Sequence, residues 1–152
     1  VNQKPKIHLL EGEPPWDLLL TADPSREQIQ AYLKDGTCYQ ASLEDQVIGV
    51  FVLLDQSEDI AELMNIAIAE GFRGRGFGKI LIQEAIAVAR GSGMKQLKVG
   101  TGNSSLDQLA FYQKAGFRIV GVDRGFFRRN YKEEIVENGI RCLDMIRLSM
   151  DL

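Results

Sequence analysis

Glu62-Leu63-Met64-Asn65-Ile66-Ala67-Ile68-Ala69-Glu70-Gly71-Phe72-Arg73-Gly74-Arg75-Gly76-Phe77-Gly78-Lys79 is the stretch whose reading settles the fold of this chain. A buried-type strand runs into glycines and then directly into a helical pattern. Glycine accepts positive φ and puts no side chain between a ligand and the backbone. The first N–H groups of the following helix lack intrahelical partners and carry the positive end of its dipole. Such a loop is a ready anion site, and Arg73, Arg75 and Lys79 add positive charge around it. Two familiar phosphate loops fail against it. The P-loop needs glycine where Arg73 stands and Ser or Thr where Ile80 stands. The dinucleotide fingerprint needs G-x-G-x-x-G, whereas Gly74, Gly76 and Gly78 are spaced by two. A glycine-rich turn that binds nothing is the bland alternative.

Downstream, a helix is predicted from about Gly78 to Arg90, with Leu81, Ala85, Val88 and Ala89 on its buried face and Gly91-Ser92-Gly93 as its stop. Lys95 to Gly100 reads as a fifth strand, and Ser105 to Ala115 as a helix ending at Gly116. Phe117 to Val122 reads as a sixth strand, and Cys142 to Met150 as the last, after an irregular and highly charged stretch. Upstream, Lys6 to Leu10 reads as a short first strand. Asp23-Pro24-Ser25 opens a helix in which Ser25 and Gln28 have capping-box spacing, Ile29 and Leu33 share a face, and Gly36 ends the run. Thr37 to Leu43 and Gln46 to Leu54 read as strands joined in a hairpin through Glu44-Asp45, and Ala61 to Ala69 as the fourth strand. Hairpin-joined strands followed by a strand–helix alternation predict an α+β (mixed α/β) fold with helices on both faces of the sheet.

The chain has 152 residues, 45% of them hydrophobic and 26% charged, with a net charge of −3. These ordinary globular values argue against disorder, and the charge argues against a nucleic-acid binder. No repeat or linker divides the chain, so one domain over residues 1–152 is expected. No apolar run approaches membrane-span length, and no signal-like segment opens the sequence. Cys38 and Cys142 are too few for a disulfide framework and read as reduced strand residues, which predicts a cytoplasmic protein. A single histidine, His8, rules out a multi-histidine metal site, so no metal is expected.

Arg73-Gly74-Arg75-Gly76-Phe77-Gly78 resembles the hallmark of the GCN5-related N-acetyltransferases: Gln or Arg, two residues, Gly, one residue, then Gly or Ala. Asn103 and the run Phe111-Tyr112-Gln113-Lys114-Ala115-Gly116-Phe117 are similar to the family's second landmark. Glu70 departs from the pattern, since many members have a proline there. The resemblance implies a six- to seven-stranded, mostly antiparallel sheet that splays between strands 4 and 5. It implies that Arg73, Gly74, Arg75, Gly76, Phe77, Gly78 and Lys79 hold the phosphates of acetyl-coenzyme A. Ile66, Ala67 and Ile68 would offer backbone bonds to the pantetheine arm, and Asn103 would touch it; a plain helix cap is the alternative for Asn103.

The implied activity is acetyl transfer to a primary amine of a small molecule or peptide, by direct attack in a ternary complex. Tyr112 would serve the departing thiolate, or else simply pack beside Phe111 and Phe117. Glu62 is the candidate base, with a water chain as the alternative. His8 reads as structural. The acceptor slot would be bordered by the early helices and by the late charged connection. There Trp16, Phe126, Phe127 and Tyr131 would wall it or pack elsewhere, and the basic and acidic runs read as solvated charge by default. A non-catalytic module that binds coenzyme A or its acyl forms is the alternative reading. Members of the family often pair through their C-terminal strands, so a homo-oligomer of that kind is possible.

Overall fold

The central strand is buried on both faces, because helices cover each side of one sheet. The computed structural model describes residues 3–152. In chain order the elements are β1 (Lys6–Leu9), α1 (Trp16–Ala22), α2 (Arg26–Asp35), β2 (Thr37–Leu43), β3 (Gln46–Asp55) and β4 (Ile60–Ile68). A short 3-10 turn, Glu70–Phe72, leads to α3 (Phe77–Gly91), β5 (Gln96–Gly102), α4 (Leu106–Lys114) and β6 (Arg118–Asp123). Then come α5 (Phe126–Asn130), β7 (Val136–Glu137), β8 (Ile140–Arg141) and β9 (Met145–Asp151). Seven strands form one sheet in the order β1-β2-β3-β4-β5-β9-β6, and among the described residues β4 with β5 is its only parallel pair.

One face of the sheet packs Phe51, Leu53, Leu63, Leu97, Val99 and Leu148 against Leu81, Ile82, Ala85 and Ala89 of α3 and Tyr112 of α4. The other packs Val50, Val52 and Ala67 against Leu19 of α1 and Ile29 and Tyr32 of α2. Ser25 caps α2 as its spacing predicts, accepting the Gln28 N–H at 3.1 Å, and Gly36 follows the last turn. Glu44 and Asp45 both adopt positive φ in the β2–β3 turn, the backbone that tight hairpins require.

Several expectations are corrected. α1 was not foreseen, because two prolines precede a run too short to show a period. On α3 the buried residues are Phe77, Leu81, Ile82, Ala85, Ile86 and Ala89, while Val88 is only half-buried at the margin of the stripe. Cys142 is buried but lies outside any strand, since β9 begins at Met145. The stretch read as irregular contains α5 and the β7–β8 hairpin, whose turn is Asn138-Gly139 with φ of 55° and 74°. An Asn-Gly pair is itself a strong hairpin signal.

Candidate active site

β4 and β5 run together only from Ile60↔Gln96 to Leu63↔Val99. Beyond Leu63, β4 keeps β3 on one side and has no strand on the other, which leaves a splayed slot with backbone groups along its wall. A bulge sits at the same place: Val52 pairs with Asn65 and Leu53 with Leu63, so Met64 is the extra residue. In a regular strand, residues three apart point to opposite faces. The bulge instead brings Leu63 and Ile66 to the α3 face, and Glu62 and Asn65 to the α1–α2 face.

The slot leads into the glycine loop. Gly74 and Gly76 have φ of +73° and +84°, and an added Cβ at either would meet nothing within 4 Å. Gly76 is the N-cap of the 15-residue α3, so the first N–H groups of that helix face open space beside it. Arg75 and Lys79 are exposed, and the Arg75 guanidinium lies 5.3 Å from the Phe72 and Phe77 ring centres. Two expected phosphate ligands have additional structural work. The Arg73 Nε donates to the Ile68 carbonyl at 3.0 Å, tying the loop back to the end of β4. The Phe77 ring is buried in the core, so only its backbone faces the loop. An added Cβ at Gly78 would touch the Phe111 ring at 3.4 Å, so this glycine keeps α3 close to α4.

A cavity of about 680 Å³ opens where β4 and β5 separate. Glu62, Asn65, Ile66, Tyr112, Phe126, Phe127, Tyr131, Cys142 and Arg147 all line it. The Glu62 carboxylate accepts a hydrogen bond from Gln56 Nε2 and lies 3.9 Å from the Arg147 guanidinium. Burial pushes the Glu62 carboxyl above the usual carboxylate range, while Arg147, Gln56 and Lys98 pull it back. Tyr112 is buried edge-on between the rings of Phe111 and Phe117, and burial pushes its phenol well above the ordinary value. Its packing and its access to the cavity therefore coexist.

The structure also brings together a polar wall that the sequence reading missed. Asp23 accepts from the hydroxyls of Tyr131 at 2.9 Å and Tyr32 at 3.2 Å, and from the Ser25 N–H at 3.1 Å. Asn65 Nδ2 donates to the Tyr32 hydroxyl at 2.9 Å and to the Leu19 carbonyl at 3.0 Å. The legible signal was Asn65 itself, an amide in the middle of an apolar strand, where a polar residue calls for a partner.

Other expected residues lie elsewhere. Asn103 holds the chain together: its Oδ1 accepts the N–H groups of Leu143 and Asp144 at 2.8 and 3.0 Å, and its Nδ2 donates to the Arg141 carbonyl at 3.0 Å. It is not the α4 cap, a position held by Ser105. Trp16 packs in the α1–α2 cluster under the Arg26 guanidinium, 3.9 Å from the ring centre, and not in the cavity. Glu137, from the charged run, lines the cavity rim and accepts the Ser105 hydroxyl at 2.7 Å. His8 faces Ser42 across β1 and β2 at 2.9 Å, away from the site.

Comparison with known proteins gives consistent results. The Acetyltransferase (GNAT) family profile matches residues 7–117. The chain is 47% identical over 152 residues to the "Uncharacterized N-acetyltransferase YvbK" of Bacillus subtilis (strain 168), covering 99% of this chain and 98% of that one. A GNAT family acetyltransferase from Elizabethkingia anophelis, solved with acetyl-CoA bound, superposes with a TM-score of 0.96 at 46% identity, covering 99% of this chain and all of that one. An acetyltransferase from Bacillus subtilis in complex with CoA superposes with a TM-score of 0.92 at 47% identity, covering 98% and 99% of the two chains.

Proposed function

The chain belongs to the GNAT acetyltransferase family, and from that premise we propose that it transfers the acetyl group of acetyl-CoA to a primary amine of a small molecule or peptide, with Glu62 as base and Tyr112 serving the thiolate. It is an acetyl-CoA-dependent N-acetyltransferase by family. The observation that carries the finer reading is one continuous path. The glycine loop before α3 leads along the open edge of β4 to a cavity holding both Glu62 and Tyr112.

Acetyl-CoA brings an activated thioester; the chain's residues bind it, orient it and manage protons. Backbone N–H groups of Gly74 to Lys79 would hold the pyrophosphate, with Arg75 and Lys79 adding charge and Arg73 bracing the loop. Ile66, Ala67 and Ile68 offer the pantetheine arm their open edge. An amine with a pKa near ~10 must lose a proton to attack, and Glu62, desolvated yet held by Arg147, takes it directly or through water. The Tyr112 phenol is a weaker acid than a thiol, of pKa about 8.5. It therefore acts as a hydrogen-bond donor to the sulfur and not as a full proton donor. Asn103 is assigned the support of this region, its amide being engaged with the loop before β9.

Thiol release from acetyl-CoA across a panel of amino acids, polyamines and peptides with free N-termini tests the reading. At least one amine should raise release well above the amine-free rate. Binding of acetyl-CoA with no response to any amine would favour the regulatory module instead. Homo-oligomers formed through the C-terminal strands belong to the same proposal. They are supported by Ile119, Val120 and Val122, which are exposed on β6 at the edge of the sheet.

A further inference from the structure

Asn65 is 4% exposed and lines the cavity, yet its Oδ1 has no hydrogen-bond partner among the described residues. The orientation of the amide is fixed by its neighbours. The Leu19 carbonyl can only accept, so the atom facing it must be Nδ2. Tyr32 spends its own proton on Asp23, so its hydroxyl also accepts from Nδ2. Both amide hydrogens are thereby used, and Oδ1 is left as a bare acceptor. Leaving such a buried group unpaired is destabilising. The chain holds it in that state with a relay through Tyr32 and Asp23, braced from the far side by Tyr131.

The setting says what the orphan atom is for. The bulge at Met64 turns Asn65 onto the same face as Glu62, three residues away. At that point β4 has already lost β5, and Asn65 and the Glu62 carboxylate line the same cavity.

We propose that Asn65 Oδ1 receives one N–H of the attacking amine and so selects primary amines over secondary ones. The inference rests on the acetyltransferase reading above. A neutral primary amine has two N–H groups and one lone pair. One N–H goes to Oδ1, the other faces Glu62 or its water, and the lone pair is aimed at the carbonyl carbon. The C–N bond forms from that lone pair, the proton facing Glu62 leaves, and the C–S bond breaks with its electrons on sulfur. A secondary amine has one N–H and must forfeit one of the two bonds. Shielding from bulk water strengthens the bond that the primary amine makes and leaves the secondary amine without compensation.

Asn65→Leu is a clean probe. The Leu19 carbonyl still accepts the Asp23 N–H at 3.1 Å, and Tyr32 still donates to Asp23, so no partner is stranded. The measurement is kcat/KM for the best primary amine of the panel and for its N-methyl counterpart, beside the acetyl-CoA Kd. The wild type should prefer the primary amine at least tenfold. Asn65→Leu should bring that ratio close to one with acetyl-CoA affinity kept. An unchanged ratio in a variant that still binds acetyl-CoA overturns the proposal, as does a wild type indifferent to N-methylation. Should Asn65→Leu fail to fold, Tyr32→Phe decides, since it releases one of the two bonds that orient the amide. A ratio lowered threefold or more supports the proposal, and an unchanged one overturns it. Acetyl-CoA binding with no turnover of any amine overturns the acetyltransferase reading itself, a result that no change in ratio can produce.

Discussion

Gly76 shows how much one residue carries. Its φ of +84° disfavours any side chain, and the space its Cβ would enter is open in the folded chain. Gly76→Val should strain the backbone by about 1–2 kcal/mol and push a branched side chain in front of α3. CoA affinity by calorimetry should drop at least about tenfold while the cooperative melt persists; intact affinity would remove the loop from the binding site. At Glu62 the sign follows from burial. The folded chain favours the protonated acid, so this carboxyl stabilises the fold at low pH and the benefit is lost as pH rises through its folded pKa. A base works ionised, so kcat/KM should fall on the acid side at a pH above the ordinary ~4.3 of a glutamate. Glu62→Gln should abolish that limb and cost on the order of 10²-fold in rate. An identical limb in the variant would hand the proton to a water chain fed from elsewhere. Tyr112→Phe keeps the edge-on packing with Phe111 and Phe117 and deletes only the hydroxyl. Its kcat should fall on the order of 10²-fold with acetyl-CoA binding nearly unchanged, the mark of an interaction made mainly in the transition state.

Among the elements, the turn from β5 into α4 depends on a partner far away in sequence. Asn103 takes two backbone N–H groups from the segment between β8 and β9 and gives one bond to the last residue of β8, some forty residues on. Asn103→Ala strands those N–H groups and should lower stability by about 2 kcal/mol, read as a shift in the urea midpoint. If Asn103 instead served mainly the pantetheine arm, acetyl-CoA affinity would fall while the midpoint stayed put. The β7–β8 hairpin was legible in principle from Asn138-Gly139. The heavy charge around it hid the alternation that usually accompanies a strand. α1 was less legible, because seven residues span only two turns. What holds α1 is the burial of Leu19 and the bond from Asn65 to its carbonyl, both supplied by other elements.

For the molecule as a whole, the edge strand β6 is the exposed margin of the sheet, with Val120 64% exposed. If copies pair along this margin, Val120→Lys should shift a dimer to monomer in light scattering, since charge on an edge opposes strand addition. A mass unaltered by the substitution would place any oligomer elsewhere. Local rules sufficed for most of the architecture. Periodicity placed β2 to β6 and α2 to α4 within a few residues, and the glycine spacing marked the anion loop, because hydrophobic alternation, capping and positive φ act between near neighbours. Glu62 and Tyr112 were named from the resemblance to the GCN5-related N-acetyltransferases, by the places they hold on such elements. The sequence could not show that they share one cavity with Arg147, nor that Asp23, Tyr32, Asn65 and Tyr131 meet on its wall. Those contacts join residues from nine to over a hundred positions apart. They exist because one extra residue at Met64 turns β4 at the place where β5 leaves it. A bulge adds no distinctive residue to the chain, so only the register of the folded sheet could reveal which side chains would meet.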